Sequence, residues 1–135
     1  MFYFGLLIFL VGIDQVAKFI ALKYFGGYVF INSAGPFSIK GDSYLFALLS
    51  IVVIIVFLFI IKRQLPKDKG LALPAILITS GGIGNVIDRI FRHGVVDFVN
   101  LKVWPSFNLA DALITVGIAL IVLNEIKRSR SSSRP

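Results

Sequence analysis

Cysteine is absent from the 135 residues and histidine occurs once, as His93. No disulfide can form and no thiolate can act as nucleophile or ligand. A lone histidine also falls short of the several His, Cys or carboxylate ligands that a zinc site gathers, so the sequence implies no metal and no other cofactor. Charge is scarce as well, at 16% of residues, while 57% are hydrophobic and the mean hydropathy is +0.89. A chain this apolar, with its apolar residues in long blocks, reads as an integral membrane protein. The net charge of +7 does not point to nucleic acid, because the basic residues cluster at the ends of the apolar blocks, where anionic headgroups lie.

A helix needs about 20 apolar residues to cross the hydrocarbon core. Four stretches qualify: 2–22, 44–61, 71–87 and 107–123. The expected fold class is therefore an all-α membrane protein: a four-transmembrane-helix bundle with a small extracytoplasmic β-containing segment between helices 1 and 2. Residues 1–126 form a single domain, and 127–135 read as a disordered basic cytoplasmic tail. The first block lacks a basic n-region and contains Asp14 and Lys18, so it reads as a retained span and not a cleaved signal peptide.

The loops set the orientation. Lys62, Arg63, Lys67 and Lys69 lie between spans two and three, and Lys127, Arg128, Arg130 and Arg134 follow span four. By the positive-inside rule both groups face the cytoplasm, as do both termini. Segments 23–43 and 88–106 then face outward. The first, rich in aromatic and β-branched residues and broken by glycines, reads as short strands and turns. The second contains Trp104, an interfacial anchor by its residue type.

Polar residues within the apolar blocks are few. Asp14 and Lys18, spaced i, i+4, share a helix face. They are either a self-neutralising pair or a functional pair of intramembrane charges, and both readings stand at this stage. Thr79, Ser80, Gly81, Gly82 and Gly84 suggest close helix approach, and Asn85, Asp88 and Arg89 follow them. Asp88 and Arg89 can satisfy each other or a neighbour. In "FNLAD", Asn108 is a good helix N-cap and Asp111 suits the first turn. That role does not account for Asp97, which sits in "VVDFV" without a nearby basic residue. Two carboxylates at one interfacial site of reduced dielectric share a proton more readily than both ionise. One then serves as base to a water and the other as acid. A Ser-His-Asp triad would have to use His93, and no serine lies in a nucleophile-elbow context. A serine–lysine dyad from Ser33, Ser38 or Ser106 would draw on Lys23, Lys40 or Lys102, all in wet loops.

Four blocks in order, "DQVAK" (14–18), "GGIGNVIDR" (81–89), "GVVDF" (94–98) and "FNLAD" (107–111), resemble the lipoprotein signal peptidase (signal peptidase II) family over nearly the whole chain. The resemblance implies an intramembrane aspartic endopeptidase with Asp97 and Asp111 as the catalytic dyad. It implies removal of the signal peptide from a prolipoprotein just before a diacylglyceryl-modified cysteine. Asp14, Lys18, Asn32, Asn85, Asp88, Arg89 and Asn108 would support the dyad or bind substrate. Further implications are residence in the bacterial cytoplasmic (inner) membrane, with the active site outside, and inhibition by globomycin. The chain departs from the family in "NSAGPF" (32–37), where Ala34 and Pro36 replace a glycine and an alanine. The alternative, a proton-coupled transporter or channel subunit using buried carboxylates, requires ionisable groups near the midplane and on both sides. Here they gather toward one face.

Overall fold

The computed structural model describes residues 2–33, 42–65, 68–103 and 105–132. Trp104, Ser38, Lys40 and the "AGPF" part of the divergent loop lie outside the described residues. Four long helices, α1 (Phe2–Phe25), α2 (Ser43–Gln64), α3 (Ala72–Arg92) and α4 (Leu109–Ser132), carry the fold. Each is long and apolar enough to cross a membrane. α3 packs against the other three. In its apolar window 56% of residues are buried, against 17%, 11% and 11% in α1, α2 and α4, so α3 is the central helix and the others turn their apolar faces outward.

Composition explains that arrangement. α3 buries Pro74, Ala75, Thr79, Ser80, Gly81 and Gly84, small residues that let neighbouring backbones come close. At Gly81 an added Cβ would lie 2.3 Å from the Ala110 carbonyl oxygen and 2.8 Å from Ile114 Cγ1. The start of α4 is thus seated directly on α3. Pro74 is accommodated in the first turn of α3, where a backbone N–H has no intrahelical partner to lose.

The helix ends differ from the sequence expectation in two places. The third span was expected to stop at residue 87, yet α3 runs through Arg92 and takes Asp88 and Arg89 with it. Nothing breaks the helix before His93, which adopts the left-handed conformation (φ 57°) and stacks edge-on against Tyr44 at 5.3 Å. Within the tail expected to be disordered over 127–135, α4 is helical through Ser132, and residues 133–135 lie outside the described residues. Arg128 pairs with Glu125 at 3.3 Å and Asp68 at 3.5 Å, and Lys127, Arg128 and Arg130 suit the negative end of the helix dipole.

The expected strand in the first outer segment is present as β1 (Phe30–Asn32). Its partner comes from the segment between α3 and α4: β2 (Val95–Asp97) pairs antiparallel, with Phe30 opposite Asp97, Ile31 opposite Val96 and Asn32 opposite Val95. β2 is wholly buried. A bridge between Val99 and Phe107 then leads the chain to α4. The sheet is small, but it closes the end of the bundle at which Asp97 and Asp111 meet.

Substituting Gly81→Ala should destabilise the protein by about 1–3 kcal/mol, the range for an overpacked contact that must shift backbone. Gly12→Ala, where an added Cβ meets nothing within 4 Å, should stay within about 0.5 kcal/mol. Denaturant titration of both variants in detergent micelles checks this, and equal losses would refute the close-approach account.

Candidate active site

The site is built outward from a buried ammonium. Lys18 Nζ lies 2.8 Å from Asp14 Oδ2, 2.9 Å from Asp88 Oδ2 and 3.1 Å from Asn85 Oδ1. Its three protons thus have three acceptors. Asp14, Lys18 and Asp88 are each 0% exposed, so an ammonium left unpaired there would be very costly. Gly84 makes room for the cluster, since a Cβ there would stand 2.5 Å from Asp14 Oδ2. Asp14 and Lys18 are therefore not a self-contained pair, because α1 shares its lysine with Asp88 of α3.

Each structural carboxylate also holds a backbone amide. The Ala110 N–H donates to Asp14 Oδ1 at 2.9 Å, and the Val96 N–H donates to Asp88 Oδ2 at 3.1 Å. Ala110 immediately precedes Asp111, and Val96 immediately precedes Asp97. One buried cation thereby anchors the chain on both sides of the site.

Asn108 joins the two remaining aspartates. Its Nδ2 donates to Asp97 Oδ1 at 2.8 Å, its Oδ1 accepts from the Asp111 N–H at 2.9 Å, and its own N–H donates to Asp111 Oδ2 at 3.2 Å. The last two bonds form a reciprocal cap on α4. Asp111 thus has the capping role read from "FNLAD", and its other oxygen, Oδ1, accepts from Asn85 Nδ2 at 2.8 Å. Asn85 connects back to Lys18, and its Oδ1 also accepts from Asn108 Nδ2 at 3.2 Å. Asp97, 4% exposed, receives a further side-chain hydrogen bond from Asn32 across the sheet. Burial pushes its carboxyl up to about 6; the Asn108 hydrogen bond opposes this and the Asp111 charge adds to it. Asp111 is less enclosed than Asp97. It lines a groove of about 420 Å³ with Leu101, Phe107, Ala112, Thr115 and Val116.

Of the residues predicted from sequence, Asp14, Lys18, Asn32, Asn85, Asp88, Asp97, Asn108 and Asp111 come together in one bonded network. Arg89 lies within electrostatic reach of Asp88, Asp97 and Asp111. Its guanidinium forms no hydrogen bond or ion pair among the described residues. Asp88 and Arg89 do not satisfy each other, because adjacent helical residues point apart. Asp88 pairs instead with Lys18 and with Arg92, one turn on. Arg92 and Gln15 are members that sequence reasoning missed. The i, i+4 spacing of Asp88 and Arg92 was the available signal, and Gln15 lies inside the quoted "DQVAK". The serine–lysine alternative gains no contact among the described residues: Lys23 sits over the Phe19 and Tyr24 rings, and Lys102 is exposed.

Comparison with known proteins identifies the family and the fold. The family model described as Signal peptidase (SPase) II matches residues 6–127. A lipoprotein signal peptidase of Borrelia hermsii is 37% identical, the match spanning 92% of this chain and 89% of that protein. Two bacterial membrane enzyme structures determined by the in meso method, at 2.3 Å and 1.9 Å resolution, superpose with TM-scores of 0.81 and 0.78. Each is 24% identical in sequence; they cover 98% and 93% of this chain, and 92% of each solved chain is matched.

Two substitutions should move the Asp97 titration in opposite directions. Asn108→Ala removes a hydrogen bond that favours the carboxylate, so the midpoint rises above about 6. Asp111→Asn removes a neighbouring negative charge, so the midpoint falls. Carboxyl ¹³C NMR of labelled protein against pH reads both. Shifts of the same sign would contradict this account of the pair.

Proposed function

Because the chain belongs to the signal peptidase II family, it is a membrane peptidase that removes signal peptides from prolipoproteins, and we propose that Asp97 and Asp111 are its catalytic pair. The observation that carries this is the Asn108 bridge, which ties both carboxylates to one amide side chain. A water held between them is the nucleophile. One carboxylate takes a proton as the water oxygen attacks the scissile carbonyl, and the other, protonated, donates to the carbonyl oxygen as it becomes tetrahedral. Collapse breaks the C–N bond, and the proton first taken from water passes to the leaving amine. Burial raises the Asp97 carboxyl to about 6, so a larger share of it carries a proton near neutrality than of an ordinary carboxylate. Asn85 and Asn108 fix the carboxylates, and Arg89, whose guanidinium has no partner among the described residues, is a cation available to substrate.

In this reading the cut falls just before a diacylglyceryl-modified cysteine. The groove beside Asp111, walled by Leu101, Phe107, Ala112 and Val116, suits a substrate that keeps its apolar parts in hydrocarbon while its peptide bond reaches the carboxylates. The cyclic peptide globomycin would compete for the same groove. The chain resides in the bacterial cytoplasmic membrane with both termini in the cytoplasm and the dyad at the extracytoplasmic face. Support comes from Lys62, Arg63, Lys69, Lys127, Arg128 and Arg130, which lie at the helix ends remote from the dyad. The transporter alternative is not favoured, because Asp14, Lys18, Asp88, Asp97 and Asp111 converge at one end of the bundle.

With a diacylglyceryl-modified prolipoprotein and purified protein, Asp97→Asn and Asp111→Asn should each lower kcat by at least about a thousandfold. Thermal unfolding should show both variants folded. Robust turnover by either would remove the dyad assignment.

A further inference from the structure

Arg92 and Gln15 form a second tier outside the buried ammonium. Arg92 Nη1 donates to Gln15 Oε1 at 2.8 Å and also to Asp88 Oδ1. Gln15 Nε2 reaches Gly84 O at 3.1 Å, Asp14 Oδ2 at 3.2 Å and Asp88 Oδ1 at 3.3 Å. Only the oxygen end of an amide can accept from a guanidinium, so Arg92 dictates which way Gln15 faces and directs its NH₂ at the two carboxylates. The charges then close: Asp14 and Asp88 contribute two negatives, Lys18 and Arg92 two positives. Removing Arg92 strands a negative charge in a cluster whose aspartates are 0% exposed. Asp88 divides its oxygens between two tasks. Oδ1 takes Arg92 and Gln15, while Oδ2 takes Lys18 and the Val96 N–H next to Asp97. If Oδ1 loses its partners, the carboxylate can rotate, and the amide it anchors moves with it. The Arg92 side chain is 27% exposed, so this tier connects the buried cluster to the protein surface.

From this geometry we propose that Arg92, acting with Gln15 through Asp88 and the Val96 N–H, is a positioning residue for Asp97. The inference rests on the reading of Asp97 as catalytic. It concerns the chemical step and not substrate binding, since neither side chain lines the groove at Asp111.

The test measures kcat and KM on the diacylglyceryl-modified prolipoprotein, with thermal unfolding alongside. Arg92→Gln should lower kcat by about tenfold or more, as a displaced reacting group does, with KM within about twofold. Arg92→Lys, which restores the charge, should recover most of that loss. Gln15→Leu carries the test if Arg92→Gln does not fold, and should lose kcat in the same way. The double variant should lose no more than the worse single one, because both act through one carboxylate. Arg92→Gln with kcat unchanged, a loss confined to KM, or no recovery by lysine would overturn the proposal. Asp97→Asn is run in parallel. If it still turns over, the dyad reading falls; an inert Asp97→Asn beside a fully active Arg92→Gln sinks the positioning role alone.

Discussion

The fold depends on how one buried ammonium is satisfied. Lys18 is 0% exposed and has three acceptors within 3.1 Å: two carboxylates and an amide oxygen. Those acceptors come from two helices, so the ammonium sets how α1 and α3 rotate and slide against each other. Through Asp14 and Ala110 it reaches the start of α4, and through Asp88 and Val96 it reaches β2. An error in its placement would reach both ends of the site together. Buried ion pairs are often weak contributors to net stability, because desolvation offsets attraction. What this cluster supplies is uniqueness of arrangement, since most other registries of the helices would leave a charge in hydrocarbon without partners.

Packing follows the same logic. Apolar burial does little to hold spanning helices together, because lipid tails are as apolar as the side chains they would replace. The outward faces of α1, α2 and α4 are accordingly covered with exposed Phe, Ile, Leu and Val. The side chains that are fully buried include Lys18, Asn108, Asp14, Asp88 and Ser80. Close backbone approach at Gly81 and Gly84 brings these polar groups within bonding distance. The small residues of α3 therefore do more than permit helix contact. At Gly84 the space is occupied by the Asp14 carboxylate itself.

Much of this was legible in the sequence because hydropathy and intramembrane charge are strong signals. Four apolar blocks gave four helices, and Asp14, Lys18, Asn85, Asp88, Asp97, Asn108 and Asp111 stood out as polar residues in apolar surroundings. The capping role of Asn108 and Asp111 also follows from local spacing. What resisted reading was non-local. Val95–Asp97 is too short and too apolar to announce a strand, and its pairing with Phe30–Asn32 depends on α1 and α3 already being packed. The extension of α3 to Arg92 was hidden because charged residues there resemble a loop, although Asp88 and Arg92 stabilise the last turn by pairing. Arg92 and Gln15 were overlooked for a related reason. A glutamine next to an aspartate, or an arginine at a helix end, is ordinary until the carboxylates it serves are known.

The site divides its four aspartates by the charge of their partners. Asp14 and Asp88 are given cations, Lys18 and Arg92, along with backbone amides. Asp97 and Asp111 are given neutral donors: Asn108 and Asn32 for one, Asn85 and the Asn108 N–H for the other. A carboxylate paired to a buried cation is held in place by charge as well as by geometry, which suits the anchoring role of Asp14 and Asp88. A carboxylate held by amides can gain or lose a proton while its position is kept, because the amides carry no charge to be uncompensated. Peptide hydrolysis by a carboxylate pair needs that second kind, since each member must exchange protons with water and substrate during a cycle. Charge pairing fixes the scaffold and amide pairing holds the two aspartates proposed as the catalytic pair, and Asn85, which bonds both Lys18 and Asp111, is where one joins the other.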